Sequence, residues 1–414
     1  MAKDTIVLGA GMVGVSVAYH LARRGRSVLL IDRREPGDET SLGNAGLIQR
    51  EAVEPYQFPQ DFGTLMSVLP NNRIDIRYQI SGMVKAAGPL FQYWRNSWPS
   101  HYSDIVPDYA AIIGLCLQEH ETMIEAAKAQ SLVHKQGWFE IFRRDDSFRE
   151  RLKDARRVHE NHGVNYEVLD RSGVDALQPG LSREVIGGLR WTDPWCVESP
   201  GDLVKAYADA YRSEGGETMT AYIESLEPTE TGWRVGTSRG DMETKEVVNA
   251  LGPWAMIPLK PLGYRFPLFA KRGYNMHYAQ GEHPLKHWIR DTEQGYFMAA
   301  MREGIRITTG AELAGRDSPP NPAQLDAAEK VARKLVPSMG ARLNDTPWEG
   351  ARPCLPDMKP LIGPAPKHKG LWLALGHGHQ GFTLGPVTGR LLGEMMDNEP
   401  TAIDMKPFGA ERFS

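Results

Sequence analysis

The sequence predicts an α/β fold, α+β overall, made of two domains. Three observations predict it. A strand, a glycine turn, a helix and a second strand follow one another over residues 5–32. A strand, a glycine turn and a helix return near the other end, over residues 371–398. Between them, residues 264–279, 295–300 and 304–309 read as strands of an antiparallel sheet. A chain of 414 residues also exceeds the usual size of a single core.

The first run is the most informative. Ile6, Val7 and Leu8 form a short apolar strand that enters Gly9, Gly11 and Gly14 at G-x-G-x-x-G spacing. Val13, Val17 and Leu21 then fall on one side of a helix that closes at Gly25, and a second strand ends in Asp32. Gly9 permits the tight turn, Gly11 lets the backbone approach a pyrophosphate, and Gly14 lets helix and sheet pack closely. Free N–H groups and the positive dipole end at the helix start favour phosphates. A carboxylate about twenty residues past the glycines accepts hydrogen bonds from ribose hydroxyls. Strand, glycines, helix, strand and acid in this order predict a Rossmann-like dinucleotide site. They do not choose between FAD and NAD.

Composition bounds the rest. Hydrophobic content of 41% and charged content of 24% are those of an ordinary globular protein, and a net charge of −4 makes no case for nucleic acid. Cys116, Cys196 and Cys354 are odd in number and far apart, with no C-x-x-C. This argues against a disulfide framework or a structural metal site and suits a reducing cytoplasm. The first strand begins almost at Met1, so no signal peptide is expected, and no apolar run of 18 residues exists to span a membrane. A peripheral contact with the cytoplasmic face of a membrane stays open.

In chain order, residues 39–46 are small, polar and twice glycine, which suits a loop lying against a ligand. Residues 51–109 are irregular and rich in aromatics, with Phe91, Tyr93, Trp94 and Trp98 near Arg95. That segment is expected to pack on its own domain, with docking on a bilayer surface as the alternative. Residues 107–130 have helical spacing, with Pro107 suited to the first turn, and Ser147 with Glu150 fits a capping box. Helices are also expected at 201–215 and from Asn321-Pro322 to about Val336. Residues 223–226 and 233–237 read as a hairpin, and residues 246–254 as a buried strand running into a Gly-Pro turn.

At the C-terminal end, the strand at 371–375 enters Gly376-His-Gly-His-Gln-Gly-Phe-Thr-Leu-Gly385, and a helix follows. Its start offers a second set of N–H groups to an electron-rich ligand edge. A ligand reaching both glycine turns must be long, which favours FAD.

These residues together resemble the D-amino-acid oxidase-like (DAO) family of FAD-dependent oxidoreductases, with its bacterial D-amino acid dehydrogenase branch nearest. The likeness runs through residues 6–14, 39–46, 247–254, 304–312 and 350–385. It implies a glutathione-reductase-type, two-domain fold, with an FAD-binding domain at 1–55, 148–222, 245–260 and 345–414. The substrate domain, at 56–147, 223–244 and 261–344, would be built on a large antiparallel sheet. By resemblance, Gly9, Gly11, Gly14 and Asp32 hold the ADP half, Asn44, Ala45 and Gly46 line the flavin, and Ile223 meets the adenosine side through its backbone. Gly378, Gln380, Gly381 and Thr383 face the pyrimidine edge. Ala10, Met12, Val13, Arg33, Ser41, Leu47, Ala250, Gly252, His379 and Phe382 are also expected at the cofactor site. Arg352 matches the arginine that clamps a substrate carboxylate, with Tyr274 and Tyr296 as candidates to complete that site. No protein base is expected, His377 and His379 being better suited to structural or pocket-lining roles, and no metal. Cys354 lies near, but not at, the position where some relatives attach flavin, so non-covalent FAD is expected. The implied reaction is oxidation of D-amino acids to 2-oxo acids and ammonia, with electrons passed to a quinone or protein carrier. An oxygen-using oxidase of glycine, sarcosine or cyclic imino acids stays open, as does the FAD-carrying subunit of a larger amine dehydrogenase.

Overall fold

The computed structural model describes residues 3–413. Two large sheets organise them. The first has eight strands. Its parallel core runs Glu217–Thr220, Val28–Asp32, Lys3–Leu8 and Met242–Asn249. The last of these is shared on its far side. Its first half pairs antiparallel with Trp233–Thr237, which continues the hairpin to Ile223–Pro228, and its second half pairs parallel with Leu371–Leu375. The parallel strands read as near-continuous apolar runs because both faces are covered.

On one face lie the helices Met12–Arg23 and Gly381–Met396, the two that follow the glycine turns. Glycines let their backbones nearly touch: a Cβ on Gly389 would sit 2.5 Å from the Ser16 carbonyl oxygen. The close crossing places both glycine turns at the same end of the sheet.

The second sheet has ten strands, mostly antiparallel. Ile289–Asp291, Tyr296–Met301, Gly304–Thr308 and Phe269–Tyr278 are successive neighbours, and Trp348–Cys354 lies on the outer side of Phe269–Tyr278. Helix Ala323–Leu335 packs beneath, burying Leu325, Ala328, Ala332 and Leu335.

Strand membership departs from the expected division at three places. The hairpin within 223–244, expected in the substrate domain, belongs to the first sheet. Tyr166–Asp170 and Gly187–Trp191, expected in the nucleotide domain, belong to the second, as does Trp348–Cys354. Alternation tells which face of a strand is buried; it does not say which distant strand will pair with it.

Local corrections are smaller. Residues 107–130 are two helices, Pro99–Gly114 and Cys116–Ala126. Pro99 takes the first position and Pro107 lies inside, because Ile105 and Tyr109 extend the buried stripe backward. The helix around Ser147 starts two residues earlier, at Asp145, and the Ser147 hydroxyl instead donates to the Arg144 carbonyl and to Glu293. Pro322 is the N-cap of Ala323–Leu335, while Asn321 Oδ1 still accepts from Ala323 N.

Candidate active site

A cavity of about 600 Å³ lies between the two sheets, running from Asp32 past both glycine turns to Arg352. Of the residues expected at the site, Gly9, Gly11, Met12, Val13, Asp32, Arg33, Ser41, Asn44, Ala45, Leu47, Ile223, Ala250 and Gly252 line it. Gly378, His379, Gly381, Phe382, Tyr274, Tyr296 and Arg352 line it too. Ala10, Gly14, Gly46, Gln380 and Thr383 stand behind the wall and shape it. Ala10 N donates to Asp32 Oδ2 at 2.7 Å. A Cβ on Gly14 would lie 1.7 Å from the Gly9 carbonyl oxygen, so the turn and the helix could not both keep their places. Gly46 N donates to Asn44 Oδ1, Gln380 Nε2 to Gln49 Oε1, and Thr383 Oγ1 accepts from Gln49 N.

At one end, Asp32 closes the strand Val28–Asp32 with each oxygen taking one backbone N–H, from Ala10 and Arg34. Each keeps capacity for another donor. Burial raises the pKa of Asp32, opposed by those N–H groups. Arg33 is held by Glu39 and lies 4.1 Å over the ring of Trp254.

The middle of the cavity is walled by the loop 40–46, which the second sheet holds in place. Arg306 Nη1 donates to the carbonyls of Leu42 and Asn44 at 2.9 and 2.6 Å. Trp288 Nε1 donates to the Ala45 carbonyl and Asn275 Nδ2 to that of Gly43. Burial pushes the Arg306 guanidinium down to about 10, and it binds carbonyl oxygens rather than a carboxylate. Sequence reading missed these three residues. For Arg306 and Asn275 the signal is a polar side chain on one face of a strand whose other face is apolar there; Trp288 lies just outside a strand and carries no such signal.

At the far end, Lys271, Gly273 and Asn275 stand directly opposite Arg352, Gly350 and Trp348, so all six share the face toward the cavity. The Arg352 guanidinium lies flat over Gly273, and its Nη1 donates to the carbonyls of Arg272 and Gly310. It has no carboxylate partner among the described residues. Burial lowers its pKa.

The two tyrosines do not complete this group. The Tyr274 hydroxyl is engaged on the opposite face, between Arg272, Glu312 and the Asn321 N–H. One-residue alternation explains this: Lys271 and Gly273 share the cavity face of the strand, while the Arg272 side chain and the Tyr274 hydroxyl lie on the other, so Tyr274 borders the cavity without turning its hydroxyl to it. The Tyr296 hydroxyl is buried beside Asp291 and Arg143 with no hydrogen bond of its own.

The histidines are poor bases. His377 Nε2 shares a hydrogen bond of 2.9 Å with Thr388, and burial pulls its pKa down to about 3. Burial, reinforced by the Arg352, Lys271 and Arg290 cations, pulls His379 well below its ordinary value. Its ring packs edge-on to Tyr56. Cys354 is buried and its thiol pKa is raised by burial, so it is held neutral. Among the described residues no cluster of His, Cys, Asp or Glu could hold a metal ion.

A Rossmann-type strand–glycine–helix, a second glycine turn beside it, and a long cavity against an antiparallel sheet define a flavin-dependent oxidoreductase of two-sheet architecture. The profile of the DAO family, FAD-dependent oxidoreductases, matches residues 4–395, and the chain belongs to that family. A D-amino acid dehydrogenase of Granulibacter bethesdensis is 28% identical over 99% of both chains. Glycine oxidase from Geobacillus kaustophilus superposes with a TM-score of 0.74 at 20% identity, covering 99% of this chain and 98% of the other. Iminodiacetate oxidase from Chelativorans sp. BNC1 gives 0.74 at 21%, covering 98% of each.

The residues present fit FAD. The Gly9–Gly14 turn packs too closely on its helix to admit a Cβ at Gly14, Asp32 keeps free acceptor capacity, and the buried Gln380 Oε1 near the second turn has no partner among the described residues. The cavity runs past Gly9, Gly11 and Asp32 to Gly378 and Gly381 of the second turn.

Proposed function

We propose that this enzyme oxidises D-amino acids to 2-oxo acids and ammonia and passes the electrons to a quinone or protein carrier. The observation that carries the reading is Arg352, a half-buried guanidinium facing the cavity with no carboxylate of its own among the described residues. A guanidinium fork binds a carboxylate through two parallel hydrogen bonds, which orients the adjoining α-carbon. FAD, when bound, supplies the two-electron oxidation of the carbon–nitrogen bond.

Gly9, Gly11 and the helix start at Met12 would hold the pyrophosphate, and Asp32 the ribose. Asn44, Ala45 and Leu47 would lie along the ring system, and the N–H groups at the start of Gly381–Met396 would meet its pyrimidine edge. Neutral His379 closes the pocket without adding charge. Buried, neutral Cys354 lacks the nucleophilic thiolate that a covalent flavin link requires, which supports non-covalent FAD.

Residues 56–98 wall the cavity through Phe58 and Tyr93 and carry exposed Phe62, Met66, Ile80, Val84, Phe91 and Trp98 outside. Lys85 and Arg95 are exposed among them. Leu90 and Tyr93 are buried, so the aromatic helix packs on its own chain through one face only. The outer face suits peripheral contact with an anionic bilayer, where a quinone would be met. Among the described residues no helix is long and apolar enough to cross a membrane.

The test is anaerobic dye reduction by the purified holoenzyme over paired D- and L-amino acids, glycine and cyclic imino acids. Reduction by the D-series without peroxide in air is the expected result. Turnover of the L-series alone, or peroxide in proportion to product, would overturn it. Sedimentation with vesicles containing anionic lipid tests the docking face.

A further inference from the structure

The cavity holds more positive charge than one carboxylate uses. Lys271 stands directly opposite Arg352 across the strand pair and shares its face. It is 8% exposed, and neither residue has a carboxylate partner among the described residues. Instead, Lys271 Nζ rests 4.0 Å from the ring centroid of Tyr93, turned away from the Arg352 guanidinium, which lies over Gly273. Arg290, half-buried on the same cavity wall, has no ion pair at contact distance among the described residues, although buried Glu140 stands opposite it on the neighbouring strand and feels its charge.

Three other inward-lying cations of this chain meet a carboxylate, while buried Arg306 is taken up by the backbone carbonyls of Leu42 and Asn44. Arg272, one residue along but on the opposite face, meets Glu312 at 2.7 Å. Arg151 meets Glu140 at 2.7 Å, and Lys359 meets Asp108 at 2.8 Å. A buried ammonium with no counter-charge is costly, and the pattern elsewhere shows that the fold can supply acids where it needs them. Among the described residues Lys271 and Arg352 have no acid partner, Lys271 has no carbonyl partner either, and both line the cavity.

We propose, building on the reading of this cavity as an amino acid site, that the substrate carries a second carboxylate: a short acidic amino or imino acid. Arg352 takes the carboxylate beside the reacting carbon, Lys271 takes the other, and Arg290 adds its field. The charges of Lys271 and Arg352 are matched. Oxidation at a carbon–nitrogen bond needs the nitrogen lone pair, so the reactive form has a neutral amine. With two carboxylates it carries two negative charges against the Lys271 and Arg352 pair.

The experiment compares D-aspartate, D-glutamate and iminodiacetate with D-alanine and D-norvaline in dye reduction by the holoenzyme, for wild type, Lys271→Met and Lys271→Arg. The diacids should be preferred by wild type. Lys271→Met should cut kcat/KM for them by ~10²-fold while changing the monoacids by no more than about threefold, and Lys271→Arg should retain the preference. Calorimetry with succinate and butyrate gives a readout without turnover: succinate should bind at least about tenfold more tightly, and Lys271→Met should erase the difference. Equal losses for mono- and diacids would make Lys271 part of a single-carboxylate clamp and overturn the proposal, as would wild type with no diacid preference. If no amino acid reduces the dye yet succinate is still selected through Lys271, the functional reading fails and the dianion site stands.

Discussion

Replacing Gly273 by Ala should disable the carboxylate clamp without touching the arginine that forms it. An ideal Cβ at this position lies 2.5 Å from Nη1, 2.6 Å from Nη2 and 2.8 Å from Cζ of Arg352. Non-bonded contacts settle near 3.5 Å, so the guanidinium must retreat by about 1 Å. The displaced atoms are the far end of a flexible side chain, and the strand backbone has no reason to move. A misplacement of that size at a positioning group costs roughly 10²-fold in kcat/KM. The variant should melt within a few degrees of wild type and retain its flavin spectrum, with the loss expressed mainly in KM. The double variant Gly273→Ala/Arg352→Ala should be no worse than Arg352→Ala alone, because both act through one guanidinium. An unchanged KM, or costs that add, would refute the assignment of Arg352.

Two further predictions follow from the cavity wall. Arg306→Met leaves the buried carbonyls of Leu42 and Asn44 without their donor, at about 1–3 kcal/mol each. FAD affinity should fall about tenfold or more, read by fluorescence of released flavin, and proteolysis within residues 40–46 should quicken. Glu51 is buried against Gln49 and Trp138, and burial raises its pKa to about 7. The folded state therefore keeps a proton that the unfolded chain releases above about 4.5, and stability falls as pH rises from there to about 7. The loss amounts to roughly 3 kcal/mol. Glu51→Gln, which keeps an acceptor for both donors, should remove that slope in denaturant melts at pH 5 to 8; an unchanged slope would place the titration elsewhere.

Much of this was legible in the chain. The glycine spacing, the helix stripes and the acid at Asp32 are local features, imposed by backbone geometry within some thirty residues, and they survived intact. The second glycine turn was equally local, and it pointed to a ligand long enough to reach both. Arg352 was found only through its resemblance to a family motif; nothing in its immediate neighbours marks it out.

What the sequence could not decide was pairing between distant strands. Hydrophobic alternation assigns faces, but register across the sheet is a cooperative choice among all strands, and it sent the hairpin at 223–237 to the first sheet and Trp348–Cys354 to the second. The same choice turned the Tyr274 hydroxyl to Glu312 on the far side of the strand and set Lys271 on the cavity wall. The sequence alone determined that a dinucleotide is held, and at which end of the chain. The tertiary structure decided which charges face the substrate, because only strand pairing sets Lys271 beside Arg352.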